Sequence, residues 1–367
     1  MNTLIVTHIS PPAIDGGSKV IHQIGEYLAS KGHRTLTLSS NCSSTDDFVT
    51  PHHPTVNHQL PIYTVLHRPL KFINRYFQLN LINILQKGPI FKIIPFVKTV
   101  IKIVKFHPQL IVAGPLPTTI VLYAKFFQKI TRAKLLINPS FHPTDPEFQN
   151  PIFQKILRSA NYLWTLTHYE TDYFKKLGFN NTILLGNGVD KKFLIKPSQI
   201  KFPKKPNLLF IGSFAAHKGL ETLIQTFLQL SPDTTLTLAG QKTLFYPQVT
   251  PLLQHPRIKV VIKPKDSEIK KLIDTCTALV LPSSQESFGL VLIEAMARGK
   301  PVLVSAIPQL LELITTTQAG LSFNLSNTKK ILSQPQLPGL NGLQYVAKHY
   351  TWDKIGDKLC QKLQSSL

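Results

Sequence analysis

Short apolar runs alternate with segments of helical periodicity, and this alternation occurs twice along the 367 residues. Short apolar runs are typical of buried parallel strands, and apolar residues at helical spacing predict helices that cover a sheet. Because a helix between two strands lets them pair in parallel, the pattern predicts an α/β fold. Two such blocks predict two doubly wound domains of similar size.

In the first block, a helix is predicted to start near Ser18, and Gly32 suits the position just after its end. Strands are predicted at residues 4–6, 36–38, 110–113, 134–138 and 162–167. In the second block, strands are predicted at residues 208–211, 236–239, 278–281 and 302–305, and helices at 219–230, 267–275 and 288–298.

The two blocks are separated by residues 191–206, which are rich in lysine and proline and have little periodicity. We therefore predict an N-terminal domain over 1–190, a linker over 191–206 and a C-terminal domain over 207–349. The tail, residues 350–367, has a helical pattern, and we expect it to pack back on the N-terminal domain.

Composition excludes several classes of protein. Hydrophobic residues make up 43%, which excludes a disordered basic tail. The three cysteines lie far apart, so neither a disulfide framework nor a metal site is expected from them. The N-terminus lacks the basic region of a signal peptide, and lysines or prolines interrupt the long apolar stretches. We expect a soluble, cytoplasmic protein.

The net charge of +22 is concentrated in one segment. Between Asp47 and Asp145 there are twelve Lys or Arg residues and no acid. Lys98, Lys102 and Lys105 recur at helical spacing, and apolar residues occupy another face: Ile94, Val97, Ile101 and Val104. One hypothesis is a helix lying on an anionic membrane, which would make the protein peripheral on the inner face of the cytoplasmic membrane. The alternative is an ordinary surface helix. No nucleic-acid-binding motif is present.

Two predicted loops carry residues suited to an anion. Gly16 and Gly17 precede a helix, and glycine lets backbone N–H groups approach a phosphate. Lys218 is the last residue but one of the segment GSFAAHKG, which lies between a predicted strand and a predicted helix. A lysine is not favoured by the dipole there unless an anion is bound. The alternatives are a simple Gly-Gly turn and an exposed loop lysine.

Two further loops carry acid–base groups. Glu286 and Glu294 are eight residues apart near a predicted helix start, which is about two turns, so both carboxylates are expected to face one cleft. Carboxylates accept hydrogen bonds from sugar hydroxyls. The alternative for Glu286 is a carboxylate that only complements the helix dipole. His142 lies in a proline-rich loop after a predicted strand, where the alternative is an ordinary surface histidine.

In this order, the motifs resemble the retaining glycosyltransferases of family 4, which have the GT-B fold, with two Rossmann-like domains facing a central cleft. The most specific part is the E-x7-E block from Glu286 to Glu294, followed by AMARGKPV. The other matching segments are Gly16-Gly17, Gly32-His33, residues 186–190, Ile211-Gly212, Lys218-Gly219 and residues 278–283.

The resemblance implies a metal-independent, hexosyl-transferring enzyme without a cofactor, whose donor is a nucleotide-diphosphate sugar. Its acceptor would be a glycan or lipid-linked molecule of surface polysaccharide or glycolipid biosynthesis. Lys218 would neutralise the leaving diphosphate, Glu286 would hold the sugar and His142 would lie near the reacting carbon. Glu294 would hold the ribose. The remaining donor contacts would come from Gly16, Gly17, Gly212, Ser213, Phe288, Gly289 and Leu290.

Some residues depart from the family pattern. Ser213 stands where an arginine is usual, Pro264 where a glycine is common and Asn161 where an aspartate is frequent. Loss of the arginine removes a bidentate phosphate partner, for which Lys263 or Lys265 are candidate substitutes. Ser213 therefore favours an alternative function, a non-catalytic GT-B scaffold that binds a membrane or a partner. A nucleotide-sugar epimerase is a further alternative.

Overall fold

The computed structural model describes residues 1–7, 16–40, 59–62, 89–116, 120–142, 148 and 151–364; at 40, 59–62 and 89–96 it describes the backbone. The predicted loop over 11–15 and the end of the His142 loop, 143–147, lie outside the described residues. The chain divides into two compact units. Unit 1 comprises Met1–Phe141, Asp145–Thr165 and Phe174–Ile183, and unit 2 comprises His142–Thr144, Leu166–Tyr173 and Leu184–Leu367.

Unit 1 is built on a sheet of seven short strands, and the strands at its centre contain continuous buried apolar runs. They are β1 (Asn2–Thr7), β2 (Arg34–Ser40), β3 (Gln59–Ile62), β4 (Leu110–Gly114), β5 (Lys134–Ile137), β6 (Tyr162–Thr165) and β7 (Thr182–Leu184). Their order is β3-β2-β1-β4-β5-β6-β7, and all pairs from β3 to β6 are parallel.

Helices connect these strands, as parallel pairing requires. They are α1 (Gly16–Ser30), α2 (Pro89–Phe106), α3 (Ile120–Thr131), α4 (Pro151–Ser159) and α5 (His168–Lys176). The apolar residues predicted for the first helix, Val20, Ile21, Ile24 and Leu28, are all buried. Gly32 follows α1 with φ +81°, as expected for a residue that ends a helix.

Unit 2 contains a six-stranded, wholly parallel sheet. Its strands are β8 (Asn207–Ile211), β9 (Thr235–Gly240), β10 (Ile258–Ile262), β11 (Ala278–Leu281), β12 (Val302–Val304) and β13 (Gly320–Ser322). Their order, β10-β9-β8-β11-β12-β13, repeats that of the first six strands of unit 1. The predicted α/β fold of two doubly wound sheets is confirmed.

Unit 2 contains helices that each bury at least one leucine, isoleucine or valine side chain. They are α6 (Leu220–Leu228), α7 (Tyr246–Val249), α8 (Asp266–Thr275), α9 (Leu290–Met296), α10 (Pro308–Thr317), α11 (Leu325–Ser333), α12 (Gln336–His349) and α13 (Trp352–Gln364). The predicted helix over 288–298 is too long: α9 begins only at Leu290, because Gly289 has a left-handed φ of +81°.

The predicted domain boundaries, after residues 190, 206 and 349, all fall within unit 2. The segment predicted as a linker contains two 3₁₀ turns, Lys191–Phe193 and Pro197–Gln199, and Phe193 is buried. The last helix, α13, contacts residues of the same unit: a Cβ added at Gly188 would lie 2.6 Å from the ring of Trp352.

None of the helices formed by the described residues is both long enough and apolar enough to cross a bilayer.

Candidate functional site

The strand order of unit 2 reverses between β8 and β11. In a doubly wound sheet, the connections after these two strands leave in opposite directions and open a crevice at the carboxyl edge, where ligands bind. The loop after β8 contains Lys218 and the loop after β11 contains Glu286. The sheet topology therefore places two predicted site residues on the two loops that flank this crevice.

Glycines allow the neighbouring loops to pack closely. A Cβ at Gly240, at the end of β9, would lie 1.7 Å from the carbonyl oxygen of Gly212. A Cβ at Gly219 would lie 2.3 Å from that of Pro282, and Gly219 has φ +68°. Any larger residue would push these loops apart. Gly219 thus fixes the position of Lys218 against the end of β11.

The main side-chain contact of the site joins the two loops. The Lys218 Nζ lies 2.6 Å from the Glu286 Oε2, and the two side chains are only 16% and 14% exposed. Burial limits the screening of the pair by water and makes it more costly to remove one partner alone. The lysine ammonium and the carboxylate hold each other at the mouth of the crevice.

Hydrogen bonds fix the loop of Glu286. The backbone N–H of Ser284 donates to the carbonyl oxygen of His217 over 2.8 Å. The hydroxyl of Ser305 donates to the carbonyl oxygen of Ser283. The backbone before Glu286 is therefore tied both to the Lys218 loop and to the end of β12.

Two histidines extend this cluster. Burial lowers the pKa of His217 below its ordinary value, and the nearby charge of Lys218 lowers it further, while Glu286 acts in the opposite direction. His142 also contributes to the lowering, which places it within electrostatic range of His217. His142 clusters with unit 2 although it follows β5. The charges of Lys218, Glu286 and His142 therefore all act on His217.

His217 was not predicted as a site residue from the sequence. Its signal was present, because it directly precedes Lys218 in the same strand-to-helix loop. Glu312 was also missed: its carboxylate accepts from the backbone N–H groups of His168 and Tyr169, at 2.7 and 2.9 Å, where α5 begins. No local pattern links these positions, which are more than 140 residues apart along the chain.

The residues after Glu286 occupy different environments. Phe288 is buried, with its ring centroid 5.5 Å from that of Tyr350. Gly289 precedes α9 and Leu290 opens it. Glu294 lies within α9 and is 9% exposed. Because Glu286 precedes the helix, the expected two-turn spacing between the two carboxylates is wrong.

The remaining donor-loop residues lie at the same carboxyl edge. Gly212 and the half-buried Ser213 follow β8 directly. The backbone carbonyl of Ser213 accepts from the N–H of Ala215 over 2.9 Å. Lys263 follows β10 and is exposed, with its N–H bound to the carbonyl oxygen of Gly240. Lys265 is exposed and starts the turn into α8.

Gly16 and Gly17 lie in unit 1, as the first two residues of α1. A Cβ at Gly17 would lie 2.7 Å from the ring of Pro115, which follows β4. The order of the unit 1 sheet reverses between β1 and β4, so Gly17 lies at the equivalent switch point of its own sheet.

Across the described parts of the chain, no group of three or more His, Cys, Asp or Glu side chains has an arrangement that could hold a metal ion.

The second half of the chain matches a known family. Residues 191–333 fit the family model described as Glycosyl transferases group 1. Over these residues the chain is similar to the group 1 glycosyl transferases. The matched group 1 segment contains Lys218, Glu286 and Glu294, and it includes the residues that were assigned to a linker.

Curated relatives agree with the group 1 match. An uncharacterised glycosyltransferase of Methanocaldococcus jannaschii is 26% identical over 187 residues, which cover 48% of this chain and 51% of the relative. A phosphatidyl-myo-inositol mannosyltransferase of Propionibacterium freudenreichii is 22% identical over 61% of this chain and 62% of the relative. The chain therefore spans only about half to three-fifths of the length of these relatives.

Solved structures match the chain over its whole length. Sucrose-phosphate synthase of Thermosynechococcus elongatus superposes with a TM-score of 0.75 at 21% identity, covering 100% of this chain and 99% of that chain. HepE of Anabaena, solved in complex with UDP-glucose, superposes with a TM-score of 0.71 at 18% identity, and both chains are fully covered. These likenesses confirm the expected GT-B fold class.

Proposed function

We propose that this chain is a retaining glycosyltransferase that moves a sugar from a nucleotide-diphosphate sugar to a glycan or lipid-linked acceptor. The observation that carries the proposal is the Lys218–Glu286 pair, held 2.6 Å apart on the two loops that flank the switch point of a group 1 domain. Lys218 provides a cation for a diphosphate, and Glu286 provides a hydrogen-bond acceptor for sugar hydroxyls. The two groups lie next to each other at the switch point, where doubly wound sheets bind ligands.

In the proposed reaction, the bond between the anomeric carbon and the diphosphate oxygen breaks, and the diphosphate leaves with the electron pair. The acceptor hydroxyl forms the new bond on the same face of the sugar and gives its proton to the leaving phosphate. Lys218 stabilises the negative charge that develops on the diphosphate. Because a fixed cation can supply this charge, we propose that the reaction needs neither a metal ion nor a cofactor.

Glu286 and the N–H groups of Phe288, Gly289 and Leu290 would hold the sugar. Glu294 would accept hydrogen bonds from the ribose hydroxyls. Donor binding then requires Lys218 to exchange its contact with Glu286 for the diphosphate, which leaves Glu286 available to the sugar. His142 would lie beside the reacting carbon, and Gly16 and Gly17 would approach the donor diphosphate or the acceptor.

Two comparisons support the substrate classes. HepE, which shares the fold, binds UDP-glucose, and the Propionibacterium relative is named as a mannosyltransferase acting on phosphatidyl-myo-inositol. We therefore propose a role in surface polysaccharide or glycolipid biosynthesis.

The proposed site of action is the inner face of the cytoplasmic membrane. Lys98, Lys102 and Lys105 are all exposed on α2, and the segment around them has no acid. We expect the triple variant Lys98→Gln, Lys102→Gln, Lys105→Gln to release the protein from vesicles containing phosphatidylglycerol. Undiminished binding would contradict this contact.

Turnover tests the enzymatic proposal. Wild type should release nucleotide diphosphate from a nucleotide sugar when supplied with an acceptor extract, and Glu286→Gln should lower turnover more than donor binding. Glu221→Gln is the matched control, because Glu221 is an exposed carboxylate on the neighbouring helix α6. Donor binding without turnover under any acceptor condition would contradict transfer and favour the scaffold function suggested by Ser213.

A further inference from the structure

An open polar cavity lies in unit 1 and shares no residue with the loops described above. It has a volume of about 570 Å³ and is lined by Lys125, Lys129, Arg132 and Lys134, together with Gln128 and Asn161. Lys134 begins β5 and Asn161 directly precedes β6. The cavity is therefore at the amino edge of the sheet, opposite the carboxyl edge at which doubly wound sheets hold their principal ligand.

Among the described residues that line the cavity, four are cations and none is an acid, so its charge is one-sided. Lys129 lies in the last turn of α3, where the helix dipole favours a cation, but this explains only one of the four. Burial and the charge of Lys129 lower the pKa of Lys125, which shows that the cations are crowded. A bound anion would relieve that repulsion.

Polar contacts hold the cavity wall in place. The Lys125 Nζ donates to the Gln128 Oε1 over 2.7 Å, and the Gln128 Nε2 donates to the Asn161 Oδ1 over 2.9 Å. The same Asn161 oxygen accepts from the backbone N–H of Leu135 over 2.8 Å. These bonds connect α3 to the starts of β5 and β6.

The helices beside the cavity expose apolar side chains. Of the twelve large apolar side chains that are exposed among the described residues, five lie on α2 and α3. Each is between 39% and 47% exposed: Val97, Ile101 and Val104 on α2, and Phe126 and Ile130 on α3. Scattered exposed apolar residues are normal, but a group on two adjacent helices marks an interaction surface.

The positions of residues around α3 relate the cavity to the exposed apolar side chains. Gln128 faces α4, because its Nε2 also reaches the carbonyl oxygen of Ser159 at 3.4 Å. At about 100° per residue, Phe126 and Ile130 lie on the opposite flank of α3, towards α2. Helices α2 and α3 pack together. The exposed apolar residues, the exposed lysines and the cavity therefore lie side by side on the same layer of helices.

We propose that this cavity seats the phosphate group of an anionic membrane lipid while the apolar residues of α2 and α3 enter the bilayer. The charge favours a lipid surface: seven of the twelve cations in the acid-free segment have described side chains, and all seven lie on α2, on α3 or around the cavity. Apolar contact and charge attraction together are what an anionic bilayer requires. This proposal rests on the membrane contact proposed above and is independent of sugar transfer.

Vesicle co-sedimentation tests the proposal, using phosphatidylcholine with 30% phosphatidylglycerol and phosphatidylcholine alone. The cavity variant combines Lys125→Gln, Lys129→Gln, Arg132→Gln and Lys134→Gln. Its partition onto anionic vesicles should fall about a hundredfold or more, since each basic residue near the lipid contributes about fivefold to tenfold. The charge-matched control combines Lys259→Gln, Lys271→Gln, Lys329→Gln and Lys330→Gln, all exposed in unit 2, and should change by less than about threefold.

A loss in the control equal to that in the cavity variant would overturn the proposal, because net charge alone would then explain the binding. Undiminished binding by the cavity variant would also overturn it. If the fourfold variant fails to fold, the double variant Lys129→Gln, Arg132→Gln replaces it, since both side chains are exposed, with an expected loss of about 25-fold or more.

Two further arms identify the source of the phosphate. Phe126→Ser with Ile130→Ser should lower partition about tenfold, whereas Leu244→Ser with Leu252→Ser, also exposed, should not. Sodium phosphate should displace little protein from vesicles beyond sodium chloride at equal ionic strength. Complete displacement of the protein from the vesicles by phosphate would assign the site to a free anion and overturn the lipid proposal. Binding of phosphate to the cavity in a protein that does not bind vesicles would have the same meaning.

The same samples distinguish the proposal of a lipid site from the proposal of sugar transfer. Turnover of a nucleotide sugar in wild type without any vesicle binding would overturn the lipid site and leave sugar transfer intact. Vesicle binding that depends on the cavity, in a protein without turnover, would support the lipid site and contradict transfer.

Discussion

The Nζ of Lys218 and the Oε2 of Glu286 lie 2.6 Å apart although their residues are separated by 68 positions in the sequence. Each side chain comes from a different loop at the carboxyl edge of the unit 2 sheet. If the two act as one unit in transfer, their effects on catalysis should not be additive. Lys218→Met and Glu286→Gln should each lower kcat about 10²-fold to 10³-fold, and the double variant should be little worse than either.

A double-mutant cycle on kcat and on donor affinity measures this coupling. Additive losses would show that the two residues act independently. The Glu221→Gln variant controls for loss of a carboxylate near the same loop.

Gly219 is predicted to be indispensable for the position of Lys218. Gly219→Ala places a methyl group against the carbonyl oxygen of Pro282 in a left-handed conformation and should cost about 2–4 kcal/mol in unfolding free energy. Gly32→Ala is the matched control: its φ is also positive, at +81°, but no atom lies within 4 Å of the added Cβ. It should cost only about 1 kcal/mol. Equal losses in denaturant titrations would contradict the close packing of the two loops.

His217 predicts a pH dependence of stability. Its pKa in the folded protein is lowered from 6.5, chiefly by burial, so the unfolded chain binds more protons once the pH falls below about 6.5. The contribution of His217 to the free energy of unfolding is therefore unchanged above that pH and is progressively lost as the pH falls towards the folded pKa. His217→Gln should lose less stability between pH 7.5 and pH 5.5 than wild type.

The control for this experiment is His168→Gln, because His168 is exposed at the start of α5. Urea unfolding of the three proteins at both pH values gives the comparison. A wild-type pH dependence that survives unchanged in His217→Gln would contradict the assignment.

Lys300 is predicted to be structural. It is buried, and its ammonium group donates to the carbonyl oxygens of Lys201, Asp274 and Cys276. Lys300→Met would leave these oxygens without that donor, at an expected cost of about 2–4 kcal/mol. Lys330→Met, at an exposed position of α11, should change stability by less than about 0.5 kcal/mol. Chemical denaturation at pH 7.5 checks both values, and a small loss at Lys300 would contradict the structural role.

Strands that are continuous runs of buried apolar residues were predicted from the sequence, because such short runs leave little alternative to a buried strand. Residues 110–113 and 278–281 are examples, and both form central strands. β10 and β13 were not predicted, since β10 has no fully buried residue and β13 consists of three half-buried ones. Their pairing depends on the neighbouring strand rather than on their own pattern.

The candidate site was predicted in part for a similar reason. Lys218 and Glu286 stand out because each follows a predicted strand, and parallel strands bring their carboxyl ends together. The start of α9 was misplaced because the left-handed backbone of Gly289 is not visible in an apolar helical pattern. The contact of Glu312 with the N–H groups of α5 is set by tertiary packing alone.

We propose above all that unit 2 binds a nucleotide sugar at the loops of Lys218 and Glu286. Thermal unfolding of wild type and Glu294→Ala with a panel that includes UDP-glucose and GDP-mannose tests it most directly, with Glu221→Ala as control. A ligand at about 100 times its Kd adds about 2.7 kcal/mol, which raises the Tm by several degrees. We predict such a shift for at least one nucleotide sugar in wild type and in the control, and its loss in Glu294→Ala relative to the Tm of that variant alone. No shift with any nucleotide sugar in folded wild type, or an equal shift in Glu294→Ala, would contradict nucleotide-sugar binding at this site.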